Sequence, residues 1–231
     1  MNPQTPSKLI ALAGGSGAGK SWLADRLRQE FSDAATSLSL DDFYRDLSHL
    51  KLCEREKVNF DRPDAIDWAL FESVLRELRN GTPVRAPCYD FVSHTRLAEW
   101  EWRSPRTFIF VEGLWLLWPP RVRELFDLRF YLDCPESLRW QRRLARDLSE
   151  RGRTRDSICE QFWNVVAPMH EHFVKVQKAW ADRVIEQPID QAELGRLIAT
   201  IRALGSGLDP TPWTITGLRT TTPQVAALQS L

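Results

Sequence analysis

Hydrophobic residues come along this chain in two rhythms. Lys8 to Ala13 is a short apolar run that breaks into a glycine-rich stretch, and Ser21 to Phe31 then places Leu23, Leu27 and Phe31 four apart on one helical face. The reading is strand, loop, helix. A second strand is predicted over Ala35 to Leu40, ending in the acidic pair Asp41 and Asp42. Asp67 to Leu78 carries Leu70, Val74, Leu75 and Leu78 at helical spacing and stops near Asn80 and Gly81. Thr107 to Val111, Leu128 to Leu132 and Arg183 to Ile185 read as further strands, the first a continuous run of the kind buried on both faces. Helical patterns cover Glu136 to Glu150, Ser157 to Ala179 and Asp190 to Leu204. This alternation predicts an α/β fold with a parallel sheet flanked by helices. Pro83 to Arg106 departs from it: the alternation of Tyr89, Phe91 and His94 between turn formers predicts a small antiparallel β insertion. Residues 1–204 then form one domain, and 205–231, rich in Gly, Ser, Thr and Pro, a flexible extension.

The chain has 231 residues, enough for one sizeable domain, and 43% hydrophobic content excludes disorder and fibrous repeats. Thirty-one Lys plus Arg balance thirty-one Asp plus Glu, so no global field attracts a nucleic acid or an anionic membrane. No run approaches the roughly 18 apolar residues of a spanning helix, since Glu112 interrupts the strongest, Thr107 to Trp118. The polar start and the brief run Leu9 to Ala13 do not make a signal peptide. The expectation is a soluble, cytoplasmic protein. Cys53, Cys88, Cys134 and Cys159 lie far apart and are expected as free, buried thiols. His170 and His172, two apart, fall on different helical faces, which argues against zinc there. Most of the ten tryptophans are expected in the core, although an aromatic group near a glycine-rich loop can also stack on a base.

The strongest chemical signal is GGSGAGKS: Gly14, Gly15, Ser16, Gly17, Ala18, Gly19, Lys20 and Ser21. It satisfies GxxxxGKS between a predicted strand and a predicted helix, the context in which glycines let backbone N–H groups ring a phosphate. Lys20 can then reach the β- and γ-phosphates and the Ser21 hydroxyl can bind Mg²⁺. Trp22 is expected to pack under the helix. Glu112 closes a buried strand at the edge of the ligand crevice, where it can hold the metal directly or through water, or merely cap the next helix. Asp41 also follows a strand and can act as general base, with Asp42 the adjacent competitor. From Arg139 to Arg155 come seven arginines; Arg139, Arg143 and Arg146 share one helical face, suited to phosphate, to Asp147 and Glu150 as solvated ion pairs, or to a nucleic acid.

Five further motifs follow in order: LSLDDFYR from Leu38, NFDRPDAID from Asn59, PCYDFVSHTR from Pro87, FVEG from Phe110 and RRLARDLSERGR from Arg142. With the phosphate loop they resemble the uridine kinase (uridine-cytidine kinase) family of P-loop nucleoside kinases, over roughly Lys8 to Glu186. The resemblance implies transfer of the γ-phosphoryl of ATP or GTP to the 5′-hydroxyl of uridine or cytidine, with Mg²⁺, in a homotetramer. It gives Asp41 the role of base and Asp61 that of the carboxylate gripping the ribose diol, although Asp61 can equally cap the turn before Pro63. It places Tyr44, Tyr89, Phe91 and His94 around the pyrimidine and makes 139–155 a lid. There Arg146 and Arg151 meet phosphates, while Arg143, Arg153 and Gln161 reach the nucleoside. Leu40, Arg62, Trp115 and Trp118 depart from the family pattern and leave uridine against cytidine open. Rival readings are a related kinase for pantothenate, ribulose 5-phosphate or nicotinamide riboside, and a P-loop switch or nucleic-acid-dependent ATPase. No NKxD motif supports a guanine-reading switch, and the presence of Lys20, Ser21, Asp41 and Glu112 argues against a non-catalytic relative.

Overall fold

The computed structural model describes residues 6–55 and 57–207. Five parallel strands, β1 (Lys8–Gly14), β2 (Ala35–Ser39), β5 (Phe108–Gly113), β6 (Leu128–Asp133) and β7 (Arg183–Glu186), lie in the order β2-β5-β1-β6-β7. Two more, β3 (Val84–Asp90) and β4 (Thr95–Arg103), form a separate antiparallel pair. The helices are α1 (Lys20–Phe31), α2 (Leu52–Arg55), α3 (Trp68–Arg79), α4 (Pro120–Arg123), α5 (Glu136–Glu150), α6 (Arg155–Gln161), α7 (Ala167–Met169) and α8 (Gln191–Gly205).

The central strand explains the two layers. Successive side chains of a strand point to opposite faces, and β1 is covered on both. Leu9, Ala11 and Ala13 pack with Ile109 and Val111 of β5 and with Phe71, Leu75 and Leu78 of α3. Ile10 and Leu12 pack the other way, with Leu23 and Leu27 of α1 and Leu194, Leu197 and Ile201 of α8. With both faces buried, β1 delivers Gly14 and β5 delivers Glu112 to the same carboxyl edge, in register Ala13 with Gly113 and Leu12 with Glu112. The insertion is tied to this body by Asp67, whose carboxylate accepts from Leu70 N at 3.2 Å to cap α3 and from Arg96 of β4 at 3.2 Å.

Several expectations are corrected. The helix predicted over Ser157 to Ala179 is broken up: α6 runs into wide π turns at Phe162–Val166 and His170–Val174 on either side of α7, then a 3-10 turn at Lys175–Trp180. Pro168 lies inside this stretch and has no N–H to continue the ordinary ladder. Trp22 does not pack under α1 but is 55% exposed, and Trp102 and Trp163 are exposed too. Of the described tryptophans only Trp115 is buried in full, so their number reflects half-covered ring clusters such as Trp118 with Phe173 and Trp180. The described cysteines are free, but only Cys134 is buried; Cys53 and Cys159 are exposed. His94 sits in the turn beyond β3 at φ 54° rather than in the strand. The expected flexible extension lies, from residue 208 on, outside the described residues.

Candidate active site

The phosphate loop forms where β1 stops and α1 begins. Gly17 has φ 79°, a left-handed conformation that favours glycine, and a Cβ there would stand 2.4 Å from the carbonyl oxygen of Arg139. Gly14, Gly15, Ala18 and Gly19 complete the turn, and α1 opens at Lys20. A side chain on Gly15 would meet the His170 ring at 2.8 Å, so His170 of the π turn and Arg139 of α5 back the loop from outside. His170 entered the sequence reading only in the argument against a zinc site; nothing there placed it behind the phosphate loop. Burial, reinforced by the Arg139 charge, pulls its pKa down to about 4, so the ring behind the loop is neutral near pH 7.

Inside the cleft, buried Lys20 donates from Nζ to Gly15 O at 3.0 Å. Burial lowers its pKa, opposed by the nearby charges of Glu112 and Asp41. Glu112 is pushed up by burial, opposed by Lys20. Two hydroxyls donate to the same Glu112 Oε1: Ser21 at 3.2 Å and Ser39 at 2.8 Å. Ser39 Oγ also accepts from Asp41 N at 3.3 Å, capping the 3-10 turn Leu40–Phe43. A single serine therefore bonds the Glu112 carboxylate and fixes the backbone at Asp41. Sequence reasoning passed over Ser39, although it stands in LSLDDFYR two places before Asp41.

The adjacent aspartates point in different directions. Asp41 borders the cleft, with Oδ1 buried and unpartnered. Asp42 does not: it accepts from the Tyr89 backbone, and burial raises its pKa to about 6. Asp61 lines the same cleft, its pKa raised by burial and drawn back by Arg143.

One cavity of about 580 Å³ joins these groups. Ser16, Lys20, Ser21, Asp41, Tyr44, Asp61, Tyr89, Phe91, His94, Glu112, Arg143, Arg146, Arg151, Arg153 and Gln161 all line it. Phe60 and Val58 also line it and were not among the expected site residues. The Phe60 ring stacks on His94 with centroids 5.0 Å apart and planes at 11°, and its carbonyl accepts from Tyr44 Oη at 3.2 Å. The departures from the family pattern sit outside the phosphate end. Leu40 and Trp115 are fully buried, Arg62 is exposed beside Asp64, and Trp118 packs on Phe173.

The arginine run is turned inward. Arg143 is buried and donates to Ser16 Oγ at 2.9 Å and to Gln161 Oε1 at 2.7 Å, and Arg153 also donates to Gln161. Buried Asp147 gathers three guanidiniums: Arg146 at 2.7 Å, Arg143 at 3.3 Å and Arg151 at 3.7 Å. Asp147 is thus the buried organiser of the cluster rather than a partner on a solvated face. The arrangement offers donors and cations to an anion in the cleft, not a basic outer face to a polyanion.

A loop ringed by amides, a lysine, and a carboxylate beside a hydroxyl at the carboxyl edge of a parallel sheet bind a nucleotide phosphate. A model of the phosphoribulokinase / uridine kinase family matches residues 9–192. The chain belongs to that family. It is 40% identical over 179 residues to a uridine kinase of Clostridium perfringens, covering 77% of this chain and 86% of that protein. A uridine kinase of Staphylococcus carnosus is 42% identical over 180 residues, 78% of this chain and 86% of that one. Phosphoribulokinase from Rhodobacter spheroides shares the fold at a TM-score of 0.59 with 19% identity, covering 79% of this chain and 71% of that one. The chain is accordingly a P-loop kinase, a phosphotransferase with an alcohol as acceptor. Among the described residues no helix is long and apolar enough to cross a membrane.

The donor set also fits Mg²⁺. Among the described residues no three His, Cys, Asp or Glu side chains group as a cage for a metal ion. Mg²⁺ does not need one: it is usually held by one or two protein oxygens with phosphates and waters filling the rest. The Ser21 hydroxyl and Glu112, 3.2 Å apart, supply such a pair beside Lys20.

Proposed function

We propose that this kinase transfers the γ-phosphoryl of ATP or GTP to the 5′-hydroxyl of uridine or cytidine, giving UMP or CMP. The observation that carries the proposal is that Asp41 and Asp61 share one cavity with Lys20 and Ser21. In this reading an acceptor gripped by Asp61 faces the phosphate loop across Asp41. The uridine kinases at about 40% identity supply the acceptor class.

In this reading the Asp61 carboxylate, an acceptor-only group, takes hydrogen bonds from the ribose 2′- and 3′-hydroxyls. Arg143, Arg153 and Gln161 fix the nucleoside from the lid side, and the Phe60–His94 stack with Tyr44, Tyr89 and Phe91 flanks the base. Asp41 orients the 5′-hydroxyl and receives its proton as the oxygen bonds to the γ-phosphorus; the bond to the bridging oxygen breaks and ADP or GDP leaves with the electron pair. Lys20, Arg146 and Arg151 offset charge on the transferring group, with Gly14 to Gly19 cradling the rest of the nucleotide. Ser21 and Glu112 would hold Mg²⁺, whose contribution when bound is to neutralise phosphate charge. Closing the arginines over the cleft excludes water as a competing acceptor. Family resemblance adds a homotetramer in the cytoplasm.

The test is a coupled phosphorylation assay with ATP or GTP and Mg²⁺ across uridine, cytidine, pantothenate, ribulose 5-phosphate and nicotinamide riboside. UMP or CMP formation is the expected result. Folded protein that makes neither overturns the acceptor assignment.

A further inference from the structure

Away from the groups described above, one guanidinium joins two segments that are far apart in sequence. Arg55, half-buried at the end of α2, donates from each of its three nitrogens to a backbone carbonyl oxygen. Nε donates to Leu50 O at 2.9 Å, one Nη to Ser93 O at 2.8 Å and the other to Ser48 O at 3.4 Å. Both segments are braced by an acid of their own. Asp46 accepts from Ser48 N at 3.1 Å and from Ser48 Oγ at 2.7 Å, and Asp90 accepts from Val92 N, Ser93 N and Ser93 Oγ. Arg55 does not itself border the cavity, but what it ties together does: Val92 and His94 flank Ser93 in the turn between β3 and β4, and the Arg55 carbonyl accepts from Val58 N at 3.0 Å, with Phe60 and Asp61 just beyond. The stack of Phe60 on His94 joins the same two segments from the cavity side.

We infer that Arg55 is a positioning residue for acceptor binding, a latch that holds the segment of Val58, Phe60 and Asp61 against the β3–β4 turn so that one wall of the cleft is formed before the acceptor arrives. The inference rests on the proposal that this wall meets the acceptor, but not on which alcohol is phosphorylated. A planar guanidinium carries five N–H donors in a fixed fork, so it can serve three carbonyls at once, and its contacts lose little rotational freedom for each bond made. A wall fixed in advance spares the acceptor the cost of ordering two loops on binding. Arg55 touches no reacting atom and acts through the residues that it draws together.

The experiment measures kcat, the acceptor KM, the ATP KM and the thermal midpoint for Arg55→Met, Arg55→Lys and Asp61→Asn. Methionine keeps the apolar stem and removes every donor. Arg55→Met is expected to raise the acceptor KM about fivefold or more, with kcat and the ATP KM within about twofold of wild type, the signature of lost binding rather than lost chemistry. Arg55→Lys, which can still donate to Ser93 O but not to all three carbonyls, is expected to fall between Met and wild type. An acceptor KM within about twofold of wild type in Arg55→Met, whether or not its thermal midpoint falls, overturns the inference, and so does an ATP KM that rises in step with the acceptor KM. If Arg55→Met does not fold, Arg55→Gln decides by the same criteria. Asp61→Asn reports separately on the underlying reading: a raised acceptor KM there beside an unchanged one in Arg55→Met removes the latch alone, whereas an unchanged acceptor KM in Asp61→Asn removes the assignment of this wall to the acceptor. If another alcohol than uridine or cytidine is phosphorylated, the KM measured is that alcohol's.

Discussion

Asp147→Asn is the most direct test of how the arginine cluster is held together. The side chain is fully buried and its two oxygens face Arg146 at 2.7 Å, Arg143 at 3.3 Å and Arg151 at 3.7 Å. Asparagine keeps the volume but removes the charge, leaving three cations with no anion between them. Removing one partner from a buried ion cluster costs about 3–5 kcal/mol. Water reaches part of the strain: the Arg146 and Arg151 side chains are 33% and 25% exposed, against 6% for Arg143. The loss therefore belongs at the lower end, about 3 kcal/mol. For a domain of this size each kcal/mol moves the thermal midpoint by about 2–4 °C, so the variant should melt about 6–12 °C lower. Melting curves followed by circular dichroism at low salt measure this. ATP should raise the midpoint of the variant more than that of the wild type, since its phosphates supply the missing negative charge. A midpoint within about 2 °C of wild type, or equal stabilisation by ATP, refutes the claim that Asp147 organises the arginines.

Three further outcomes are expected. Asp41→Asn should leave nucleotide affinity nearly intact and cut kcat by about two orders of magnitude or more, and an unchanged steady-state rate removes Asp41 from the mechanism. Ser39→Ala breaks hydrogen bonds to Glu112 and to the Asp41 backbone, and hydrogen bonds to charged groups are worth about 1.5–3 kcal/mol, so kcat/KM should fall about tenfold or more; titration of the rate with Mg²⁺ shows whether metal affinity falls with it. The pKa of His170 is held near 4 in the folded chain, against 6.5 for the free side chain. The unfolded state therefore binds the extra proton first. Stability from this group is complete above pH 6.5 and is lost as pH falls toward 4, about 3 kcal/mol in all. Denaturant midpoints between pH 7 and 4 should show a smaller acid loss in His170→Gln, and identical slopes would mean that the ring takes up its proton without cost.

The parallel sheet was legible because each strand is a short apolar run followed by a break, and burial of β1 on both faces demands such a run. The site was legible wherever its residues stand at strand ends or in dense motifs: Lys20 and Asp41 come after β1 and β2, Glu112 stands next to last in β5, and the cavity gathers them with Asp61. What escaped the sequence was contact between distant segments. Nothing local marks His170 as the residue behind Gly15, because π turns on either side of Pro168, rather than an ordinary helix, set where it points. Hydrophobicity also misplaced most tryptophans, since a large amphipathic ring can cover an edge without entering the core. The arginine run shows the same limit from the other side. Spacing puts Arg139, Arg143 and Arg146 on one face but cannot say whether that face meets water or a cleft. The decision rests on one acid: seen along the helix, Asp147 is an ordinary i, i+4 partner of Arg143, yet with no exposure it turns the arginines inward toward Ser16 and Gln161.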